Sequence, residues 1–157
     1  MMKDIKEKFM KEALKEAQKA YNKLEIPIGA LIVKNGQIIA RGHNLKEEKK
    51  NTIKHAEIIA IEKASKKLNN WRLNNCEMYV TLEPCPMCAG AILNSRIKKV
   101  YIGALDERMG SCGSKINILQ NNTFDTSCDI EKGILEKESK ELLKKFFKEL
   151  RKNKKGV

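Results

Sequence analysis

The chain has 157 residues, of which 41% are apolar and 33% are charged. This length fits one domain of common size and is too short for two separately folding units. The composition excludes collagen-like, mucin-like and low-complexity classes, and no apolar run approaches the roughly 20 residues that a membrane-spanning helix needs. Residues 1–8 carry charges of both signs and lack the apolar segment of a secretory signal, so we expect a cytoplasmic protein.

The formal net charge of +12 has two explanations. An excess of this size attracts a polyanion, which makes nucleic acid the first partner to consider. A codon bias toward lysine and asparagine gives the same composition without any binding face. The distribution favours the first explanation, because the last fourteen residues contain seven lysines and arginines against a single glutamate.

The first third of the chain predicts a helix and a hairpin. Apolar residues recur at three- and four-residue steps over 3–24, which is the period of an amphipathic helix. Two short apolar runs, 28–33 and 37–40, follow it. The dipeptide Asn35-Gly36 lies between them and supplies the positive φ angles of a tight turn, so the two runs are predicted to form a β-hairpin.

The middle of the chain alternates between polar and apolar segments. The stretch 41–54 is polar and without a period, so we predict a loop there, followed by a helix over 55–68. Residues 77–81 are apolar enough for a buried strand. Two prolines end that strand before 87–94, a short segment rich in helix formers.

The last third completes the pattern. A strand is predicted over 99–104, a glycine-containing loop over 106–122 and a weak strand near 128–130. A second amphipathic helix is predicted from 135 to about 152, with a short basic tail after it. Helices that alternate with strands predict one α/β domain over 1–157, with helices on both faces of a single sheet.

The cysteines fall into two groups. Their number, five, is odd, which argues against a disulfide framework in a chain of this length. Cys76, Cys112 and Cys128 are scattered. Cys85 and Cys88 form a C-x-x-C motif that two prolines flank, and such a motif alone is either redox-active or metal-binding.

His55 changes the interpretation of that motif. One imidazole and two thiolates form a soft ligand set that suits Zn²⁺. Three protein ligands leave the fourth tetrahedral position open, which is typical of a catalytic zinc site rather than a structural one. The sequence therefore predicts a catalytic Zn²⁺ bound by His55, Cys85 and Cys88.

Glu57 lies two residues after the predicted histidine ligand. A carboxylate beside a zinc-bound water is a natural general base, because it can take up a proton and return it to a leaving group. The alternative is an exposed glutamate in the first turn of a helix, where acidic residues are favoured. We predict the catalytic role.

These residues resemble a known signature. His55-Ala56-Glu57 followed by Pro84-Cys85 and Cys88 resembles the H-x-E and P-C-x-x-C motifs of zinc-dependent nucleobase deaminases. The likeness extends along nearly the whole chain to the bacterial tRNA-specific adenosine deaminases. The further segments that carry it are 26–30, 81–85, 87–92, 95–97, 103–106, 133–135 and Phe146-Phe147.

The resemblance implies a fold, an activity and partners. The fold would be a three-layer α/β/α sandwich with a five-stranded mixed sheet, and the protein would be a homodimer with one zinc ion per subunit. The activity would be hydrolytic conversion of the wobble adenosine in the anticodon of an arginine tRNA to inosine. No DNA or membrane partner is expected.

The resemblance also implies roles for individual residues. Beside the three zinc ligands, Glu57 would move the proton. Asn44 would hydrogen-bond the flipped nucleoside, and Ile26 would help to form the pocket wall. Asp106 and Arg108 would lie near the neighbouring anticodon nucleotides.

The C-terminal helix would flank the anticodon loop in the same way. Phe146, Arg151 and Lys152 are the implied contacts, although Phe146 and Phe147 are equally suited to the core. The chain departs from the family pattern before the last strand, where Asp125-Thr126 replaces an Asn-His pair that would contact RNA.

Two other functions compete with this one. A deaminase of a free base or nucleoside, of the guanine or cytidine type, would use the same zinc chemistry, but a small neutral substrate does not require a cationic helix. A non-catalytic zinc module that binds RNA is the second alternative. Glu57 argues against it, because binding alone needs no general base.

Overall fold

In the computed structural model, residues 2–155 are described. They form four helices and five strands: α1 (Met2–Asn22), β1 (Gly29–Lys34), β2 (Gln37–His43), α2 (Ala56–Leu68), β3 (Cys76–Leu82), α3 (Pro86–Asn94), β4 (Lys99–Ala104), β5 (Asp129–Lys132) and α4 (Glu136–Lys155). The predicted basic tail continues α4 as far as residue 155, and residues 156–157 lie outside the described residues.

The five strands form one mixed sheet in the order β2-β1-β3-β4-β5. The central strand pair β1 and β3 is antiparallel, and β2 is also antiparallel to β1, whereas β3, β4 and β5 run parallel to one another. The predicted five-stranded mixed sheet is confirmed.

The hairpin has the predicted turn but a longer second strand. Asn35 and Gly36 have φ angles of 52° and 74°, which match a type I′ turn. β2 continues to His43, so the prediction of a loop from residue 41 was wrong. The polar strand end is stable because Arg41 and His43 contact acidic residues of α1 at 3.2 and 3.0 Å.

Helices cover both faces of the sheet. Side chains alternate along β1, and consecutive residues therefore enter different cores. One core lies under α2 and α3 and contains Ala30 and Ile32, and the other lies under α1 and contains Leu31 and Val33. α4 packs beside α1 on the second face. No helix within residues 2–155 is long and apolar enough to cross a membrane.

Two glycines let helices approach the hairpin closely. A Cβ atom on Gly29 would lie 2.0 Å from the carbonyl oxygen of Ala13 in α1. A Cβ atom on Gly42 would lie 2.5 Å from the carbonyl oxygen of Ala56, the first residue of α2. The second contact places the N-terminus of α2 against the end of β2.

We expect Gly29→Ala to lower the free energy of unfolding, because the added methyl group meets helix backbone that cannot move alone. Overpacking of this kind costs about 1–3 kcal/mol. Gly90→Ala is the matched control, since a Cβ atom there meets nothing within 4 Å and the residue is helical. Urea unfolding of both variants measures the difference. Equal stability of Gly29→Ala and the wild type would contradict the close approach.

Candidate metal centre

Two helix N-termini provide the predicted zinc ligands. His55 is the N-cap residue of α2 and Cys85 is the N-cap residue of α3, and both have extended backbone conformations. Cys88 lies in the first turn of α3, which begins with Pro86 in the position that proline prefers. His55 and Cys85 make no capping hydrogen bond within the described chain, so both side chains are available to a ligand.

The three ligand atoms meet at one point. The Nδ1 atom of His55 lies 3.7 Å from the Sγ atom of Cys85 and 3.5 Å from that of Cys88. All three atoms lie within 4.8 Å of one another. Bonds of about 2.0–2.3 Å to a tetrahedral ion require ligand atoms at about this separation. The geometry and the chemistry of the donor set therefore both fit Zn²⁺.

Hydrogen bonds among the three ligand residues shift their pKa values. The Cys88 thiol donates to the Cys85 sulfur, and this hydrogen bond is the main reason that the pKa of Cys85 falls to about 4. The same hydrogen bond, together with burial, raises the pKa of Cys88. The hydrogen bond with Cys85 also raises the pKa of His55. A cation at this position replaces the protons, so we expect metal binding to release them.

Glu57 lies in the interior beside this group. Its side chain is 4% exposed, and its Oε1 atom has no hydrogen-bond partner among residues 2–155. Burial is the main reason that its pKa is raised to about 7. The alternative of an exposed glutamate in a first helical turn is therefore wrong. A buried carboxylate oxygen without a hydrogen-bond partner indicates that a metal, a water or a substrate supplies the missing contact.

Asn44 and Ile26 lie together at the same end of the sheet. Asn44 is buried, and its Nδ2 atom donates to the carbonyl oxygen of Ile26 at 3.5 Å. The Asn44 Oδ1 atom accepts the backbone N–H of Lys46 at 3.3 Å. Asn44 directly follows β2, and a loop joins it to His55. The structure thus brings together two residues that the resemblance assigned to one pocket.

Asp106 and Arg108 lie in the loop after β4. The Asp106 Oδ1 atom accepts the backbone N–H groups of Arg108 and Met109 at 2.9 and 3.1 Å, and the Arg108 side chain is exposed. Asp106 therefore shapes the turn that presents Arg108.

Glu83 holds this loop, a role that no sequence pattern predicted. Its buried carboxylate accepts backbone N–H groups from Asp106, Cys112 and Ser114 at 3.0–3.1 Å. Burial alone would raise the pKa of Glu83, but the hydrogen bonds from Ser114 and from the backbone lower it below the usual value. The available signal was an acidic residue directly after an apolar strand.

The predicted C-terminal contacts divide between the interior and the surface. Phe146 is 5% exposed and packs edge-on against Tyr21, with ring centroids 5.7 Å apart. This burial favours the core alternative for Phe146 over a contact with RNA. Phe147 is 37% exposed, and Arg151 and Lys152 are exposed on α4.

The sheet order, the two helix N-termini and the His-Cys-Cys group are those expected of a zinc-dependent deaminase. The family model for the cytidine and deoxycytidylate deaminase zinc-binding region matches residues 3–104. The chain belongs to this family.

Within this family, the chain is similar to several individual deaminases. The chain is 52% identical over 151 residues to the tRNA-specific adenosine deaminase of Bacillus subtilis, covering 96% of this chain and 94% of the relative. It resembles a structure from studies of A-to-I editing by tRNA:A34 deaminases at the wobble position of transfer RNA, with a TM-score of 0.83, 41% identity and coverage of 86% and 98%. A guanine deaminase structure from Bacillus subtilis has a TM-score of 0.61 and 43% identity, with coverage of 63% and 64%.

We expect Cys88→Ala to lose zinc and thermal stability together, because metal binding contributes to the stability of the folded state. Cys76→Ala is the matched control. Cys76 is also fully buried but lies outside the His-Cys-Cys group, so its substitution is expected to leave the zinc content near one ion per chain. Elemental analysis and thermal unfolding measure both properties. A fully zinc-loaded Cys88→Ala variant would contradict the ligand assignment.

Proposed function

We propose that this chain catalyses the hydrolytic deamination of adenosine to inosine at the wobble position of a tRNA anticodon, with an arginine tRNA as substrate. The observation that carries the proposal is the buried Glu57 beside the group His55, Cys85 and Cys88, with an Oε1 atom that has no hydrogen-bond partner among the described residues. The substrate is supported by the relationship to tRNA-specific adenosine deaminases along nearly the full chain.

The mechanism depends on Zn²⁺ held by His55, Cys85 and Cys88. When bound, zinc supplies a water of lowered pKa as the nucleophile. The Glu57 carboxylate would take up the proton of that water, since burial raises its pKa above the usual value for a glutamate. Glu57 then delivers the proton to the adenine ring nitrogen and assists departure of the amine. Water and adenosine give inosine and ammonia.

The pocket wall positions the nucleoside. We propose that Asn44 binds the flipped nucleoside and that Ile26 packs against it, since the two residues already contact each other. The Nδ2–oxygen distance of 3.5 Å is long for a hydrogen bond, so the Asn44 amide is available to a substrate acceptor. Asp106 and Arg108 would contact the neighbouring nucleotides.

RNA binding is assigned to the exposed cations of α4. Arg151 and Lys152 are proposed to contact phosphates of the anticodon stem-loop. Phe147 replaces Phe146 as the aromatic residue that is available at this surface. The proposal includes a homodimer in the cytoplasm, and the exposed apolar side chains of Met87 and Met109 near the site support a protein interface there.

Inosine formation tests the proposal directly. Purified protein is incubated with an anticodon stem-loop that carries adenosine at the wobble position, and separately with free adenosine, guanine and cytidine. We expect inosine only from the stem-loop. Faster deamination of guanine or cytidine would favour the alternative of a free-base or nucleoside deaminase.

We expect Glu57→Gln to lower the deamination rate by about a hundred- to ten-thousand-fold, because the amide cannot take up a proton. Zinc content and stem-loop affinity are expected to stay at the wild-type level. Glu62→Gln is the matched control, since Glu62 lies on the same helix and its side chain is 53% exposed. Inosine formation, zinc content and affinity are measured on one preparation of each variant.

Retained activity of Glu57→Gln would contradict the proton-transfer role. Loss of zinc from this variant would instead mean that Glu57 is a metal ligand.

We expect stem-loop affinity to fall with salt and to depend on α4. The double variant Arg151→Ala/Lys152→Ala removes two proposed phosphate contacts, so the slope of log affinity against log salt should shrink by about 1.4–1.8. Lys66→Ala/Lys67→Ala removes the same charge from the exposed end of α2 and is the matched control. Equal slopes for the two double variants would contradict the assignment of α4.

A further inference from the structure

One loop joins the proposed nucleoside contact Asn44 to the metal-ligand residue His55. We call residues 45–54 the bridging loop. Its residues 46–50 are all exposed, and Ile53 is 45% exposed, so apolar packing fixes little of its shape. Backbone hydrogen bonds close the loop on itself, among them that from Leu45 N–H to the Lys54 carbonyl at 3.0 Å. Its position relative to the rest of the molecule therefore depends on polar contacts from outside.

Glu25 makes such a contact. Its side chain is 1% exposed, and each carboxylate oxygen accepts one backbone N–H of the bridging loop. The Oε1 atom accepts from Glu47 at 3.0 Å and the Oε2 atom accepts from Glu48 at 2.7 Å. Hydrogen bonds to an ionised acceptor are about twice as strong as neutral ones. A buried carboxylate with two such donors is a firm attachment point.

The backbone of Glu25 is itself fixed by the end of α1. Leu24 has a φ angle of 62°, and its N–H donates to the Tyr21 carbonyl. The Glu25 N–H donates to the Ala20 carbonyl at 2.9 Å, which completes a Schellman motif. The carboxylate is thus anchored to a helix of 21 residues.

Glu25 also directly precedes Ile26 in the chain. The Ile26 carbonyl accepts the Asn44 amide, and Asn44 directly precedes the bridging loop. The segment from Glu25 to Ile26 therefore lies against the segment from Asn44 to Glu48, and the Glu25 carboxylate makes the two short hydrogen bonds between them.

We propose that Glu25 is a positioning residue for the substrate pocket: it holds the bridging loop against the end of α1, and it thereby keeps Asn44 and Ile26 in the arrangement that binds the nucleoside. This inference rests on the proposed function. A carboxylate is required, because glutamine would direct an NH₂ donor at one of the two backbone N–H groups and leave that N–H buried and unsatisfied.

The test compares Glu25→Gln with the wild type in two measurements. Hydrogen–deuterium exchange of the full-length zinc protein measures how readily the backbone of the bridging loop opens. Steady-state kinetics on the anticodon stem-loop measure how well the pocket binds its substrate. We expect faster exchange over 45–54, unchanged exchange in α2 and α3, unchanged zinc content and a KM about tenfold higher, with kcat changed less than KM. Glu25→Asp keeps the charge and is expected to restore part of the affinity.

Glu16→Gln is the matched control for amide exchange. Glu16 is a buried residue of α1, the helix that Glu25 follows, and is 3% exposed, but its donors are the side chains of Lys19 and His43 rather than loop backbone. It should leave exchange over 45–54 unchanged.

Four results would overturn the inference. In Glu25→Gln, these results are unchanged amide exchange in the bridging loop, faster exchange throughout the molecule, or faster exchange in the loop with an unchanged KM. The fourth result is an equal effect of Glu16→Gln and Glu25→Gln on exchange in the loop. If the wild type forms no inosine, the proposed function fails and the assigned pocket role fails with it. The exchange measurement still reports whether Glu25 holds the loop, so the two failures are distinguishable.

Discussion

The site depends on two helix N-termini that meet at one end of the sheet. β3 leads through a short turn into α3, which sets Cys85 at the N-cap and Cys88 in the first helical turn. α2 reaches the same place because Gly42 lets its first residue lie against the end of β2. Helix N-termini favour thiolates, so the arrangement suits the chemistry as well as the geometry of a metal site.

Three buried carboxylates, Glu25, Glu57 and Glu83, belong to the proposed site or hold its loops, and their hydrogen bonding separates their roles. Glu25 and Glu83 accept backbone N–H groups through both oxygens and so hold loops in place. Glu57 has an unpartnered oxygen within the described chain. The pKa values of these two groups agree with this division. Hydrogen-bond donors lower the pKa of Glu83, whereas burial raises the pKa of Glu57. Scaffold and reactive carboxylates are thus distinguished by their donors, not by burial.

Local patterns in the sequence predicted most of the fold. Asn35-Gly36 predicted the hairpin turn, and the C-x-x-C motif with His55 predicted the metal group that the structure assembles. Local patterns could not predict the extension of β2, because the partners of Arg41 and His43 lie on α1. Glu25 and Glu83 were missed for the same reason, since their donors are more than 20 residues away in the chain. Phe146 packs against Tyr21, which is much farther away in the chain.

The central claim is that three protein atoms bind zinc and leave one position open to a reactant. X-ray absorption spectroscopy at the zinc edge of the purified protein tests it most directly. We expect two sulfur ligands at about 2.3 Å and two nitrogen or oxygen ligands at about 2.0–2.1 Å, the second of which exchanges with an added anion. A spectrum with three or four sulfur ligands, or one that no added ligand changes, would contradict the account.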